Sequence, residues 1–454
     1  MRVREDPAPA GYLPVLPGEF AERLHRHNPS SVIAVAFSGG PDSLALLILA
    51  AAWVRGRPGA RLVALTVDHG LRADSAAEAG MAARLAAALG VPHRILTWTD
   101  PKPGSGIQAA AREARYRLLA AACRAAGAGD LLVAHHLEDQ AETFLLRLRR
   151  GSGVDGLAAM PEARPLDAGA PRLRLLRPLL DLPRGRLAAT VAQAGLTPVL
   201  DPSNENDRFD RVKIRQAMNA LEALGFDAAG LADTAGRMAR ARAALEAQTA
   251  ALLGAHAVLS RFGHVEVETA GFASAPAETR LRALAAILKC VSGRAYGPRM
   301  DGLAALDAAL ADGTLGRGRT LNGVKFSLSR GRLLAVREVA AAQKSRPLRL
   351  APGEAGTWDG RFDVRLEAAG PHAHLDVRAL GPEGLSLLAA AGLALPLAPR
   401  PALATLPALW AGPALVSVPH LGTLDAAVKA GTALVPREFF AHMRRLTPVH
   451  DAPR

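Results

Sequence analysis

A chain of 454 residues predicts two to four domains at roughly 100–200 residues each, and a composition that is 50% hydrophobic and 21% charged excludes wholesale disorder. Aromatic residues make up only 4%, so the cores must rest mainly on Leu, Val and Ala. The 55 Lys and Arg outnumber the 42 Asp and Glu by +13, and only six of the basic residues are Lys; an arginine excess of this kind points to phosphate-bearing partners, against the alternative of a general Ala–Arg bias.

In chain order, short apolar runs alternate with helix-like runs. Val32–Phe37 reads as a strand, followed by Ser38-Gly39-Gly40-Pro41 and a helix over Asp42–Val54. Leu62–Val67 predicts a strand, Ala73–Leu89 a helix and Arg94–Trp98 a weaker strand. Ile107–Ala126 predicts a long helix, Asp130–Ala134 a strand and Glu138–Arg150 a helix. This alternation argues for an α/β domain with a doubly wound parallel sheet. The strands are apolar throughout, which fits a sheet covered on both faces.

Beyond it, residues 184–224 look helical except across Thr197–Asn206, and Leu231–Gly254 reads as a long helix. Ala277–Cys290 and Met300–Leu310 predict helices, Val324–Leu328 and Leu333–Val336 strands, and the chain after Lys344 is rich in Pro and Gly. The expected organisation is a catalytic domain over 1–225, a mainly helical substrate domain over 226–342 and a small α+β domain over 343–454. No internal repeat is visible.

Cys123 and Cys290 lie far apart, which excludes a disulfide framework, a cysteine-based zinc site and a CxxC redox pair. That fits a reducing cytosol, so a cytoplasmic location is expected. The first 30 residues lack the apolar core of a secretory leader. Leu44–Val54 is too short, and Leu385–Pro399 too interrupted, to cross a membrane.

The search for chemistry starts with phosphate loops. None of the six lysines follows a glycine, so a Walker-type loop is absent. Gly151-Ser152-Gly153-Val154-Asp155-Gly156 matches GxGxxG but follows a helix where a dinucleotide site needs a strand. Ser38-Gly39-Gly40-Pro41-Asp42-Ser43 lies between strand and helix, as an anion site requires. Its glycines let backbone approach an anion, and Ser38 and Ser43 add hydroxyl donors. Asp42 suits a phosphate only if a cation such as Mg²⁺ intervenes. An ordinary turn with Asp as a helix cap is the competing reading.

Ser38–Ser43 resembles the loop of the N-type ATP pyrophosphatases, which cradles the pyrophosphate of ATP. Further segments narrow the resemblance: Thr66–Arg72, Gln108–Tyr116, Ala134–Leu146, Arg150–Leu157, Arg177–Leu180 and Asp201–Arg215. In this order and spacing they resemble the tRNA(Ile)-lysidine synthase family over about residues 31–220. The resemblance implies ATP, Mg²⁺, free L-lysine and a tRNA(Ile) with a CAU anticodon, and no obligate protein partner. It implies adenylation of the wobble cytidine 34 and displacement of AMP by lysine. The modified tRNA then reads AUA in place of AUG.

Against that chemistry, Ser38, Gly39, Gly40, Pro41, Asp42 and Ser43 would hold ATP, with Asp42 also on the metal. Asp68, at a strand end, would serve the adenosine or the metal, with a capping turn as its bland alternative. Asp139 and Glu142 are neighbours on one helix face, suited to cationic lysine or to removing a proton from its ammonium. His135 and His136 read as lining the sheet edge. Glu138 stands where that family often has Asp. Arg112, Arg115 and Arg150 would contact tRNA, and Arg211 and Arg215, one helical turn apart, the adenylated intermediate or the anticodon. A tRNA thiolase or an amidotransferase on the same loop would need cysteines that this chain lacks, and a non-catalytic RNA-binding module would leave the paired carboxylates unexplained.

Overall fold

The sequence Val32-Ile33-Ala34-Val35-Ala36 is buried at every position, because alternate side chains enter two different cores. Ile33 and Val35 pack with helices on one face, and Val32, Ala34 and Ala36 with a helix on the other. Each large apolar side chain so buried contributes about 1.5–3 kcal/mol. The computed structural model describes residues 11–71, 75–167, 170–199, 214, 217–218, 220–294, 297–316, 318–435 and 444–445. The chain divides into two units, Met1–Arg242 and Ala243–Arg454.

In the first unit the elements are α1 (Pro17–His25), β1 (Val32–Ala36), α2 (Pro41–Arg55), β2 (Arg61–Asp68), α3 (Ser75–Ala88), β3 (His93–Thr97), α4 (Ile107–Ala126), β4 (Asp130–Leu132), α5 (Leu137–Arg149), α6 (Val154–Leu157), β5 (Ala163–Asp167), β6 (Ala170–Leu176), α7 (Arg184–Gln193) and α8 (Ala228–His256), which continues into the second unit. The sheet order is β3-β2-β1-β4-β6-β5. All neighbours are parallel except β5 and β6, an antiparallel edge pair. Helices α1, α2, α3 and α7 cover one face and α4 the other. Strand order therefore reverses beside β1, and the crevice at the carboxyl ends of β1 and β4 is where such sheets bind ligands. The opposite end is pinned by Asp130, fully buried, which takes two hydrogen bonds from Arg174, at 2.7 and 3.1 Å, and one from the Ser30 amide.

The second unit holds two apolar clusters. One is formed by helices Ala277–Ser292 and Met300–Ala311 against strands Val265–Glu268, Val324–Ser329 and Arg332–Arg337. The other gathers around Trp358, Phe362, Leu375, Val377 and Trp410, from two smaller antiparallel sheets. No helix among the described residues is long and apolar enough to cross a membrane.

Candidate active site

The loop after β1 turns on Gly39, whose φ is +83°, a left-handed value that favours glycine. A Cβ there would fall 2.9 Å from Val199 Cγ2, and the Val199 amide donates to the Gly39 carbonyl at 2.9 Å. Both facts hold the loop close to its neighbour and require glycine. Gly40 precedes α2 with no side chain capping the helix, and Pro41 occupies its first turn. The N-terminal amides of α2 are therefore left for an anion. Ser43, buried, donates its hydroxyl to the Gly40 carbonyl at 3.0 Å, and its Oγ lies 3.1 Å from Ser38 Oγ. The loop has the tight turn, the close approach and the helix start that a polyphosphate needs.

Asp42 leaves the first turn of α2 toward the segment that follows β4. There His136 caps α5 and is 3% exposed. Its Nε2 lies 3.6 Å from Asp42 Oδ2 and 3.5 Å from Asp139 Oδ2, and its Nδ1 is 2.9 Å from Glu138 Oε2. Burial by itself disfavours a charged ring, but the carboxylates of Asp42, Glu138 and Asp139 outweigh it and raise the His136 pKa to about 10. These contacts favour the imidazolium form, set among three carboxylates. Asp139 Oδ2 also accepts the His136 backbone N–H at 3.1 Å, half of a capping box. Glu138 accepts the Arg184 amide at 3.0 and 3.1 Å, tying α5 to the start of α7. Arg184 Nε is 3.6 Å from Asp42 Oδ1.

Three carboxylates (Asp42, Glu138, Asp139) face two cations (His136, Arg184), and Glu142, 3% exposed one turn along α5, adds a fourth acid. Among the described residues acids outnumber bases at this site. The Asp42 carboxylate, beside the glycine loop, has the hard oxygens with which a Mg²⁺ completed by phosphate and water would be held. Among the described residues no cluster of three or more His, Cys, Asp or Glu forms a metal cage.

The structure thus brings Asp42 and Asp139 together through His136, with Ser38, Gly39, Gly40, Pro41 and Ser43 forming the adjoining loop. Asp68 ends β2 and accepts the Gly70 amide at 2.8 Å in a tight turn. Next to it, His69 stacks edge-on against Trp98, and burial and the charge of Arg115 lower its pKa. Arg112 and Arg164 flank the Tyr116 ring at 5.2 and 5.3 Å. Arg112 and Arg115 are exposed on α4, and Arg150 is exposed at the end of α5. Arg147 instead donates to the Gly156 and Ala159 carbonyls at 2.8 Å and shapes the glycine-rich turn. Arg211 and Arg215 lie outside the described residues.

Sequence reasoning passed over His136, Glu138 and Arg184 as members of the acid cluster. It also passed over Arg177, 4% exposed, whose Nε donates to His135 Nδ1 at 3.2 Å. A guanidinium only donates, so His135 Nδ1 is the acceptor and the neutral ring carries its proton on Nε2. The available signal was position: two histidines at the end of a parallel strand.

The PP-loop domain family model matches residues 18–222. The tRNA(Ile)-lysidine synthase of Rhodopseudomonas palustris is 45% identical over 320 residues, covering 67% of this chain and 90% of its own length. That of Methylobacterium nodulans is 46% identical over 326 residues, covering 69% and 94%. That of Ruegeria pomeroyi is 38% identical over 401 residues, covering 87% and 90%.

Proposed function

The chain belongs to the tRNA(Ile)-lysidine synthase family, and from that premise we propose how its own residues perform the ligation. The activity is the ATP-dependent joining of lysine to the wobble cytidine, C34, of tRNA(Ile). The cytidine C2 oxygen attacks the α-phosphate of ATP and pyrophosphate leaves. An amine of free lysine then attacks C2, and AMP leaves with that oxygen. The product is lysidine, and the CAU anticodon then reads AUA in place of AUG.

The single observation that carries the assignment of roles is the convergence of Asp42 and Asp139 on His136 beside the glycine loop. Ser38–Ser43 holds the β- and γ-phosphates through backbone amides and hydroxyls. Asp42 would hold Mg²⁺, which supplies charge neutralisation at the triphosphate. His136 keeps the two carboxylates from repelling each other while no substrate is bound. Asp68 orients the adenosine through the turn it caps. Asp139 and Glu142 attract lysine, and one of them takes the proton that its ammonium must lose before it has a lone pair. Arg112, Arg115 and Arg150 contact the tRNA backbone, and Arg211 and Arg215 steady the adenylated base. Residues 1–225 carry out the chemistry, while 226–342 and 343–454 hold tRNA. Such substrates fit a cytoplasmic enzyme.

The test is incubation with ATP, labelled lysine and total tRNA. Label is expected in one nucleoside of one tRNA, with AMP released only when lysine is present. AMP release independent of lysine, or label outside the anticodon, would overturn the assignment.

A further inference from the structure

The glycine loop is held from behind by a chain of hydrogen bonds that the roles proposed above leave unused. It starts at Phe37, the residue between β1 and Ser38. The Phe37 amide donates to the Leu65 carbonyl at 2.8 Å, in the β1–β2 ladder. The Phe37 carbonyl accepts from a side chain, the Thr66 hydroxyl, at 2.6 Å. Thr66 is 5% exposed, and its Oγ1 is also 2.7 Å from Nε2 of His93, the first residue of β3.

The direction of each bond follows from its donors. A carbonyl only accepts, so the single hydroxyl proton of Thr66 goes to Phe37. Thr66 Oγ1 must then accept from His93, which places a proton on His93 Nε2. Burial lowers the His93 pKa below the ordinary 6.5, so at neutral pH the ring is uncharged and this is its one N–H. The His93 ring also meets the Phe37 ring edge-on, with centroids 6.3 Å apart and planes at 88°. In a trans peptide the C=O and the next N–H point in opposite directions. With the Phe37 carbonyl turned to Thr66, the Ser38 N–H is aimed away from it, and it donates to Ser43 Oγ at 3.3 Å. The Ser43 hydroxyl passes the chain on to the Gly40 carbonyl at 3.0 Å, directly before the first turn of α2. From His93 to Gly40 every bond runs in the same sense, and linked bonds of one sense polarise and reinforce one another.

We propose that His93, acting through Thr66, is a positioning residue for the polyphosphate of ATP: it fixes the Phe37–Ser38 peptide, and with it the loop that receives the β- and γ-phosphates. The proposal rests on the reading that Ser38–Ser43 holds those phosphates. His93 plays this part through Thr66 and needs no contact with the nucleotide.

The experiment measures ATP and AMP affinity of the full chain by equilibrium dialysis, with Mg²⁺ and without tRNA. The proteins are the wild type, Thr66→Val, Thr66→Ser, His93→Met and His93→Gln. Val keeps the shape of Thr without the hydroxyl, and Ser keeps the hydroxyl. Gln retains an N–H near the place of Nε2, and Met has none. AMP lacks the two phosphates that the loop holds, so it reports general damage to the nucleotide site. Thr66→Val and His93→Met should weaken ATP ~3–10-fold, the loss of one hydrogen bond, and leave AMP within about twofold. Thr66→Ser and His93→Gln should stay close to the wild type. Equal loss of ATP and AMP would make the chain of bonds a general brace of the fold and would overturn the proposal. So would unchanged ATP affinity in folded Thr66→Val and His93→Met, or a His93→Gln no better than His93→Met. Where Thr66→Val does not fold, the two His93 variants carry the same comparison. A wild type that binds ATP no more tightly than AMP would overturn the loop assignment, and this proposal with it. Lysine incorporation by the wild type is read in parallel. If it is absent while the ATP-specific loss appears, the ligase reading fails and this one stands.

Discussion

The two units bury charge in opposite senses. At the carboxyl ends of β1 and β4, Asp42, Glu138, Asp139 and Glu142 outnumber His136 and Arg184. In the second unit, Arg337 and Arg361 outnumber Asp359. On the reading proposed above, the acid-rich cluster would receive lysine and the metal on ATP. A base-rich cluster favours a negative charge beside it. Among the described residues the first cluster is richer in acids and the second in bases.

The largest effect that would break this comparison is on stability. Asp359→Ala leaves two buried guanidiniums facing each other and should cost about 3–5 kcal/mol, read as a steep loss of melting temperature or of soluble protein. A small change would mean that water already screens the cluster. Next, Asp42→Ala should lower ATP-dependent AMP formation ~10²-fold or more, with the fold retained by circular dichroism. Near-normal turnover would remove Asp42 from the metal.

Glu142→Gln should raise the lysine concentration needed for turnover roughly ten- to a hundred-fold, the loss of ~1.5–3 kcal/mol for a charged hydrogen bond. Pyrophosphate release on forming the adenylate should change less. Asp139→Asn should do the same and also loosen α5, because Asp139 accepts the His136 amide. A collapse of adenylation with lysine dependence unchanged would assign both acids to the metal.

At neutral pH the effect of His420 vanishes, and it grows only on acidification. His420 lies against Phe262 and Phe362, and burial, reinforced by Arg261, lowers its pKa from 6.5 to about 4. The unfolded chain therefore binds a proton first as pH falls. Stability should be intact above pH 6.5 and decline between 6.5 and 4, by about 1 kcal/mol at pH 5.5 and about 3 kcal/mol at the lower end. His420→Phe should flatten this part of the pH profile of thermal unfolding; an unaltered slope would show that other groups set it.

Much of the fold was legible. The strands from Val32, Leu62 and Asp130 and the helices from Asp42, Ile107 and Ala277 form within a few residues of their expected bounds. Hydrophobic periodicity and glycine punctuation are local signals, and each element forms from its own residues. The antiparallel pair β5–β6 was not anticipated, because Arg, Pro and Asp interrupt its apolar pattern and its pairing extends an existing edge. Within the site, the loop Ser38–Ser43 was legible because one continuous hexapeptide carries every feature that a phosphate needs.

The sequence by itself determined the parallel sheet, the glycine loop and the pairing of Asp139 with Glu142 on one helix face, since each follows from the spacing of neighbouring residues. Only the tertiary structure decided that His136 stands between Asp42 and Asp139, that Glu138 reaches the first amide of α7, and that Arg337 and Arg361 share Asp359. These are contacts between elements, set by how strands order in a sheet and how helices pack on it. A charge acquires its role from the dielectric and the partners around it, and neither is written in the spacing of residues along a chain.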